Sequence, residues 1–356
     1  MHKWLFIQAL RGVAILAVVV FHLMSIEIKY SGGDLLLPDF LRLGQSGVDL
    51  FFVISGFVMV TVTRGRFARN REIGRFLWGR LSRIYPTYWF YFFLTAAVFL
   101  IRPNWVNSSQ GHQAELFSSF FLLPNRQPPL VMVVWSLIHE LWFYAVFAVL
   151  LKFNEKRLLS SLLVWGMIVA TANAFATIAN LSAGVRIVLH PYTFEFIIGA
   201  LVAIFVASEC SRKVSSRMSL MVVIVLFLVG LPLVYVFDIL KEAGIMRVSI
   251  IGTLYGLLML SLATLEREKK FIVPRFLQSI GDISYTVYLS HVLILSALGR
   301  LWAMANPARN SLVDNMIVCL LMVASVVSYG WIGYRLVELP ILGVAHRLRI
   351  RWFENC

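Results

Sequence analysis

Charge is scarce in this sequence. Asp, Glu, Lys and Arg make up 14% of 356 residues, where a soluble domain carries about 25%, so a water-soluble globule is excluded. Cysteine is nearly absent as well. Cys210, Cys319 and Cys356 form no C-x-x-C pair, which excludes a disulfide framework or a cysteine zinc site, and no metal is expected. No repeat and no low-complexity tract interrupts the chain. No link between apolar runs is long enough for a separate soluble domain, so 1–356 reads as a single unit. Acidic residues are fewer than basic ones, 18 against 32, for a formal net charge of +14.

What fills the chain is apolar: 60% of it is hydrophobic. Ten runs are of the length a bilayer-spanning helix needs, at roughly 4–24, 47–63, 84–101, 131–151, 158–178, 191–207, 219–237, 247–265, 283–302 and 312–337. The expected fold is an all-α polytopic membrane protein of about ten transmembrane helices. The first run lacks a small-x-small cleavage site with a polar start after it, so it reads as a span and not as a cleaved signal.

The cations alternate. With the N-terminus inside, the inner segments hold 21 Lys and Arg, seven of them between Arg64 and Arg83, and the outer segments hold nine. Arg11 and Arg335 lie within spans. This bias predicts both termini in the cytoplasm and makes much of the positive charge a matter of topology, with no nucleic-acid partner. It also puts Cys210, Cys356 and Asn70 inside and Ser31 in the first outer loop, with Cys319 buried in the tenth span.

Ionisable residues within spans are costly and mark candidate sites. In "RGVAILAVVVFHL" Arg11 and His22 are eleven residues apart, which leaves them about 20° out of register and about 16 Å apart along one helical face. Each alone is open to a bland reading, a snorkelling cation or an interfacial imidazole; together they suggest the lining of a path across the membrane. Arg80 and Arg83 share a face where the third span begins. They suit either phosphate binding or anchoring to anionic lipid.

Other constellations are weaker. Asp49 follows Ser46 by three residues, which fits a capping box as well as chemistry, and Gly56 suits close helix packing. In "WSLIHELWFY" Ser136 and Glu140 face the same way, and Glu140 needs a partner; His139 points about 100° away. Ser284, Tyr288 and His291 lie on one stripe of the ninth span, a pattern suited to interhelical hydrogen bonds. In "VELP" Pro340 is expected to stop the last span, with Glu338 paired to Arg335.

Taken together, "LRGVAILAVVVFHL", "GQSGVDLFFVISGF", "RLSR", "WSLIHELWFY", "ISYTVYLSH" and "VELP" appear in order along a chain that resembles the membrane acyltransferase-3 family, bacterial enzymes that O-acylate surface carbohydrates. The resemblance covers essentially the whole sequence. It implies a multi-pass enzyme of the bacterial inner membrane that moves an acyl group, acetyl above all, from cytoplasmic acyl-CoA to a hydroxyl of an extracytoplasmic carbohydrate, an exopolysaccharide or O-antigen that is lipid-linked in some cases. It implies His22 as the catalytic residue, Arg11 as a handler of the donor, and Arg80 and Arg83 as binders of the acyl-CoA. The extracytoplasmic SGNH-type domain of some members has no counterpart in these residues, so unaided delivery to the acceptor is expected.

Chemistry then assigns the parts. The arginine cluster holds the donor phosphates, Arg11 guides the pantetheine arm, His22 acts as general base, and Glu140 orients its imidazole. Asp49, Ser136, Ser284, Tyr288 and His291 are expected to support them. The rival class is a polytopic transporter with a buried Arg/His/Glu proton relay, which would hydrolyse no thioester. Against it, no inverted repeat and no matched pair of Gly/Pro-broken spans is present.

Overall fold

The computed structural model describes residues 4–32, 35–107, 111–175, 180–242, 244–305 and 312–353. Among them there is no strand, and ten helical stretches are long and apolar enough to cross a membrane. In chain order their main helices are α1 (Leu5–Tyr30), α2 (Gly47–Thr63), α3 (Asn70–Ile101), α4 (Trp135–Leu150), α5 (Leu158–Phe175), α6 (Thr193–Val206), α7 (Ser216–Val236), α8 (Ile245–Arg267), α9 (Ser284–Ala305) and α10 (Leu312–Phe353), with short helical turns before α2, α4, α5 and α6 completing those spans as Asp39–Thr63, Met132–Leu150, Glu155–Phe175 and Ala183–Val206. Each expected run overlaps one of them; residues 176–178 of the fifth lie outside the described residues. Outward faces carry bare apolar side chains such as Leu100, Leu228 and Leu320, as a lipid-facing surface must, while backbone polar groups are satisfied within each helix. Cys319 is buried and Cys210 exposed; Cys356 lies outside the described residues.

Small residues set the centre of the bundle. At Gly56 of α2 a Cβ would stand 2.0 Å from the carbonyl oxygen of Phe196 in α6, and at Gly199 of α6 it would stand 1.9 Å from that of Val53 in α2. The two backbones therefore touch, the close packing expected at Gly56. The loop before α2 approaches α1 in the same way: Gly47 lies against Ala14 and Gly44 against Ala17. A short helix, Arg275–Asp282, leads into α9 and packs on α1, where a Cβ at Gly281 would stand 1.9 Å from the carbonyl oxygen of Gln8 and one at Gly12 would stand 2.3 Å from that of Leu277. Glu266, at the end of α8, caps α1 by accepting from the N–H groups of Leu5 (2.9 Å) and Phe6 (2.7 Å).

Two features depart from expectation. Helix α3 starts at Asn70, so Arg80 and Arg83 stand well inside a 32-residue helix. Residues "NREIGRFLWGRL" hold a helix turn for turn, and Glu72 ties the first turns to Arg66 (3.5 Å) and Arg75 (3.4 Å). Pro340 does not stop α10, which runs to Phe353. A π turn over Tyr334–Glu338, closed by Leu339 N–H donating to Tyr334 O, precedes it. Pro340 is thus second in a fresh α segment, Leu339–Phe353, where a missing N–H is tolerated. Pro232 follows the π turn Leu226–Gly230 of α7 in the same way. The tail of α10 returns along α3, where Trp78 Nε1 donates to Ala345 O at 3.1 Å.

Gly199→Ala is expected to lower stability in detergent by about 1–3 kcal/mol, the usual cost of overpacking. Gly343→Ala, with nothing within 4 Å of its Cβ, should leave the melting temperature unchanged or raise it slightly. Equal melting temperatures for both variants would show that the α2–α6 backbone contact is not tight.

Candidate active site

Three cavities lie in series through the bundle. The first, of about 460 Å³, is walled by α1, α2, α3, α4 and α9, and its size is that of a ligand pocket. Arg11, Arg80, Arg83, Ser136, Glu140 and Ser284 all line it. Arg11 donates from Nη2 to Ser284 Oγ (2.9 Å) and from Nη1 to Gln8 Oε1 (3.2 Å). The Arg80 guanidinium lies over the rings of Phe76 (5.6 Å) and Tyr144 (5.7 Å). Neither Arg80 nor Arg83 has a hydrogen bond or ion pair among the described residues. Both are half-buried, so two cations face the cavity with no carboxylate at ion-pair distance among the described residues.

Glu140 does have partners, and they are hydroxyls. Ser55 Oγ donates to Oε1 at 2.8 Å and Tyr144 OH at 2.5 Å. These two bonds hold Glu140 toward the cavity of the arginines. Its expected contact with the His22 imidazole is absent among the described residues, because α4 directs the carboxylate to α2 and to its own next turn.

The second cavity is small, about 140 Å³, and His22 lines it together with Gln45, Asp49, Trp135, Tyr192 and Arg247. It shares Val48 and Tyr288 with the first cavity. His22 Nδ1 stands 2.9 Å from Val18 O. A carbonyl only accepts, so this nitrogen carries the hydrogen and the Nε2 lone pair is left for chemistry. The ring that neighbours His22 is His291, fully buried on α9, with His291 Nε2 at 3.3 Å from His22 Nδ1. Tyr288, one turn below, donates to Val133 O (2.7 Å) and accepts from Ser136 Oγ (2.6 Å). All three residues of the stripe, Ser284, Tyr288 and His291, thus bond to neighbouring segments.

Asp49 has a structural partner that sequence spacing did not reveal. Its Oδ2 accepts from Arg247 Nη2 of α8 at 2.8 Å, with both side chains buried. Glu195, fully buried on α6, neighbours both, and Tyr192 lies under the guanidinium at 5.6 Å. The capping box is not formed. Ser46 Oγ donates to Leu43 O and pairs with Tyr255 OH, and residues Asp39–Ser46 wind as a 3-10 helix, so the geometry for a reciprocal cap is missing. The pair Arg335–Glu338 is also absent among the described residues: Glu338 accepts from Thr286 Oγ1 (2.6 Å), while Arg335 lies on the ring of Trp331 (3.8 Å). The π turn between them alters the i, i+3 geometry.

The third cavity, about 620 Å³, shares Gln45, Trp135, Tyr192 and Arg247 with the second. Trp135 and Tyr192 stack across it (5.6 Å, 29°), and Asn125, Arg186 and His139 also line it. Sequence reasoning missed Glu195, Tyr192 and the buried role of Arg247. The signal for Glu195 was present, an acidic residue inside "TFEFIIGALV" that needs a partner as much as Glu140 does.

A family described as "Acyltransferase domain" matches residues 4–334, nearly the whole chain. The chain belongs to the acyltransferase-3 family. It is similar to the exopolysaccharide production protein ExoZ of Rhizobium meliloti (strain 1021), 28% identical over 271 residues, 72% of this chain and 78% of the relative. It is also similar to the O-acetyltransferase OatA of Staphylococcus aureus (strain NCTC 8325 / PS 47), 22% identical over an alignment that covers 94% of this chain and 56% of OatA. No solved structure matches. As a member of this family the chain is a multi-pass membrane acyltransferase, and the arginine-walled cavity and the His22 chamber both lie within the matched residues.

Asp49→Ala removes the hydrogen-bonded partner of buried Arg247 and leaves only Glu195 beside it, so it should destabilise the protein by about 1–3 kcal/mol, less than the loss of a sole counter-ion. The double variant Asp49→Leu with Arg247→Met should recover most of that. Unfolding in detergent followed by tryptophan fluorescence measures both; a single variant as stable as wild type would mean that the pair is solvated.

Proposed function

We propose that the protein is an acyl-CoA-dependent O-acyltransferase of the bacterial inner membrane, with acetyl the acyl group. The acceptor is a hydroxyl of an extracytoplasmic carbohydrate of the exopolysaccharide or O-antigen type. The observation that carries this reading is the order of the cavities: unpartnered arginines at one end, an aromatic and polar vestibule at the other, and His22 in the small chamber that shares walls with both. The names of two relatives, an exopolysaccharide production protein and an O-acetyltransferase, support acceptor and acyl group.

The residues suit the donor. Acyl-CoA is polyanionic at one end and thin at the other. Arg80 and Arg83 face the first cavity without carboxylate partners, so they are free to bind phosphate. Arg11, held by Ser284 and Gln8, stands between them and the chamber, where its remaining donors meet amide carbonyls. The third cavity suits a carbohydrate, with Trp135 as an aromatic wall and Asn125 and Arg186 for its hydroxyls.

His22 acts as the base at Nε2, which has no hydrogen-bond partner among the described residues. It takes the proton of the acceptor hydroxyl as the oxygen attacks the thioester carbonyl. A C–O bond forms, the C–S bond breaks, and the proton on Nε2 passes to the departing thiolate, which leaves as CoA–SH. His22 ends as it began. The products are the O-acyl carbohydrate and free CoA, so no further reactant is needed.

His22→Ala is expected to lower acyl transfer by about 10²–10⁴-fold while the protein remains folded in the membrane. Mass spectrometry of the surface polysaccharide is the readout, and acylation at the wild-type level would overturn the assignment. Separately, Arg80→Gln with Arg83→Gln should raise KM for acetyl-CoA more than KM for the carbohydrate. Unchanged CoA affinity in that variant would reduce both residues to lipid anchors.

A further inference from the structure

His22 is held by two acceptors, and one of them is a second histidine. Both ring orientations can be read from backbone carbonyls. Val18 O, one turn below His22 on α1, stands 2.9 Å from His22 Nδ1. Val287 O, one turn below His291 on α9, stands 3.0 Å from His291 Nδ1. Each carbonyl demands a hydrogen on the nitrogen it faces, so both rings carry hydrogen on Nδ1 and a lone pair on Nε2. His291 Nε2 then points that lone pair at His22 Nδ1 from 3.3 Å, with the rings 4.9 Å apart and inclined at 74°. The single hydrogen on His22 Nδ1 is shared between a carbonyl of its own helix and an imidazole of another.

This arrangement stands where a base-orienting carboxylate was expected, and Glu140 is occupied by Ser55 and Tyr144. We propose that His291 is the positioning residue of the His22 base: it holds His22 in the tautomer that leaves Nε2 free and takes a share of the positive charge when Nε2 is protonated. The inference rests on the reading of His22 as general base. Its physical basis is an N–H that becomes a stronger donor once the ring is an imidazolium, facing a neutral nitrogen able to accept it. Asp49 of α2 shares the chamber with His22 but is paired with Arg247, and no carboxylate bonds either ring among the described residues, so the pair carries one added proton between two neutral imidazoles, and the backbone carbonyls prevent either ring from flipping. An interhelical contact with no part in the reaction would also place the two rings together, and the experiment separates the two.

The test compares His291→Phe, which keeps a ring but no acceptor, with His291→Gln, whose side-chain oxygen reaches toward the position of Nε2. The expected result is a fall in kcat of about 10–100-fold for His291→Phe, the range for partners that orient a histidine from behind. KM for acetyl-CoA should stay close to the wild-type value, because His291 does not line the arginine-walled cavity, and His291→Gln should recover most of the loss. 15N NMR of histidine-labelled protein supplies a readout that a merely structural contact would not move: wild type should show hydrogen on Nδ1 of His22, and the His22 Nδ1 resonance should shift in His291→Phe. A wild-type kcat in His291→Phe, a loss of kcat that His291→Gln does not relieve, or His22 protonated on Nε2 in the resting enzyme would each overturn the proposal. Should His291→Phe fail to fold, His291→Gln and the wild-type spectrum decide it. Full activity in His22→Ala would instead mean that the general-base reading itself is wrong, whereas an inactive His22→Ala beside a fully active His291→Phe would remove this inference alone.

Discussion

A polar side chain in a bilayer has no water to turn to, so it fixes which helix stands beside which. The rest of this structure depends on that constraint. Arg11 and His22 share one face of α1, and α9 answers both, Ser284 at the lower position and His291 at the upper. The two helices run in the same direction, so a three-turn spacing on α1 meets a two-turn spacing on α9, with the long arginine side chain covering the difference. Elsewhere Asp49 brings α2 to α8, Glu140 brings α4 to α2, and Glu338 brings α10 to α9. Apolar packing in lipid selects no partner so strongly, because the tails are as apolar as leucine.

That frame places two kinds of chemistry at two depths. Arg80 and Arg83, which face the first cavity, make no ion pair among the described residues, and the carboxylate in the same wall, Glu140, is hydrogen-bonded by two hydroxyls. Asp49 and Arg247 neutralise each other beside His22, and the other residues that line its chamber carry no formal charge. A base that must take and return one proton is suited by such a setting. The polyanionic end of a donor is suited by the other.

How much of this was legible in the sequence follows from the range of each interaction. The ten runs, the shared face of Arg11 and His22, the stripe of α9 and the contact at Gly56 are local periodicities, and a 3.6-residue repeat reports them directly. The capping box and the Arg335–Glu338 pair were also local readings, yet both failed. Each assumed regular α geometry, where the chain uses a 3-10 helix and a π turn. Asp49 with Arg247, and His22 with His291, join residues far apart in the chain, and one sequence carries no signal of such pairing. Arg247 was counted among outer topology cations because spacing cannot tell a buried cation from a solvated one. Pro340 misled for a related reason: a π turn just before it removes the clash that would have ended the helix.

The proposed mechanism depends on sidedness, since in it donor and acceptor reach His22 from opposite faces. Ser31 is buried and makes a poor reporter, but Asn70 and Arg126 are exposed. In a background without Cys210, Cys319 and Cys356, single cysteines at these two positions can be challenged with a membrane-impermeant thiol reagent on intact spheroplasts. The account predicts labelling at Arg126→Cys in intact cells and at Asn70→Cys only after the membrane is opened. Labelling of Asn70→Cys from outside would put the arginine-walled cavity on the face away from cytoplasmic acyl-CoA and contradict the mechanism.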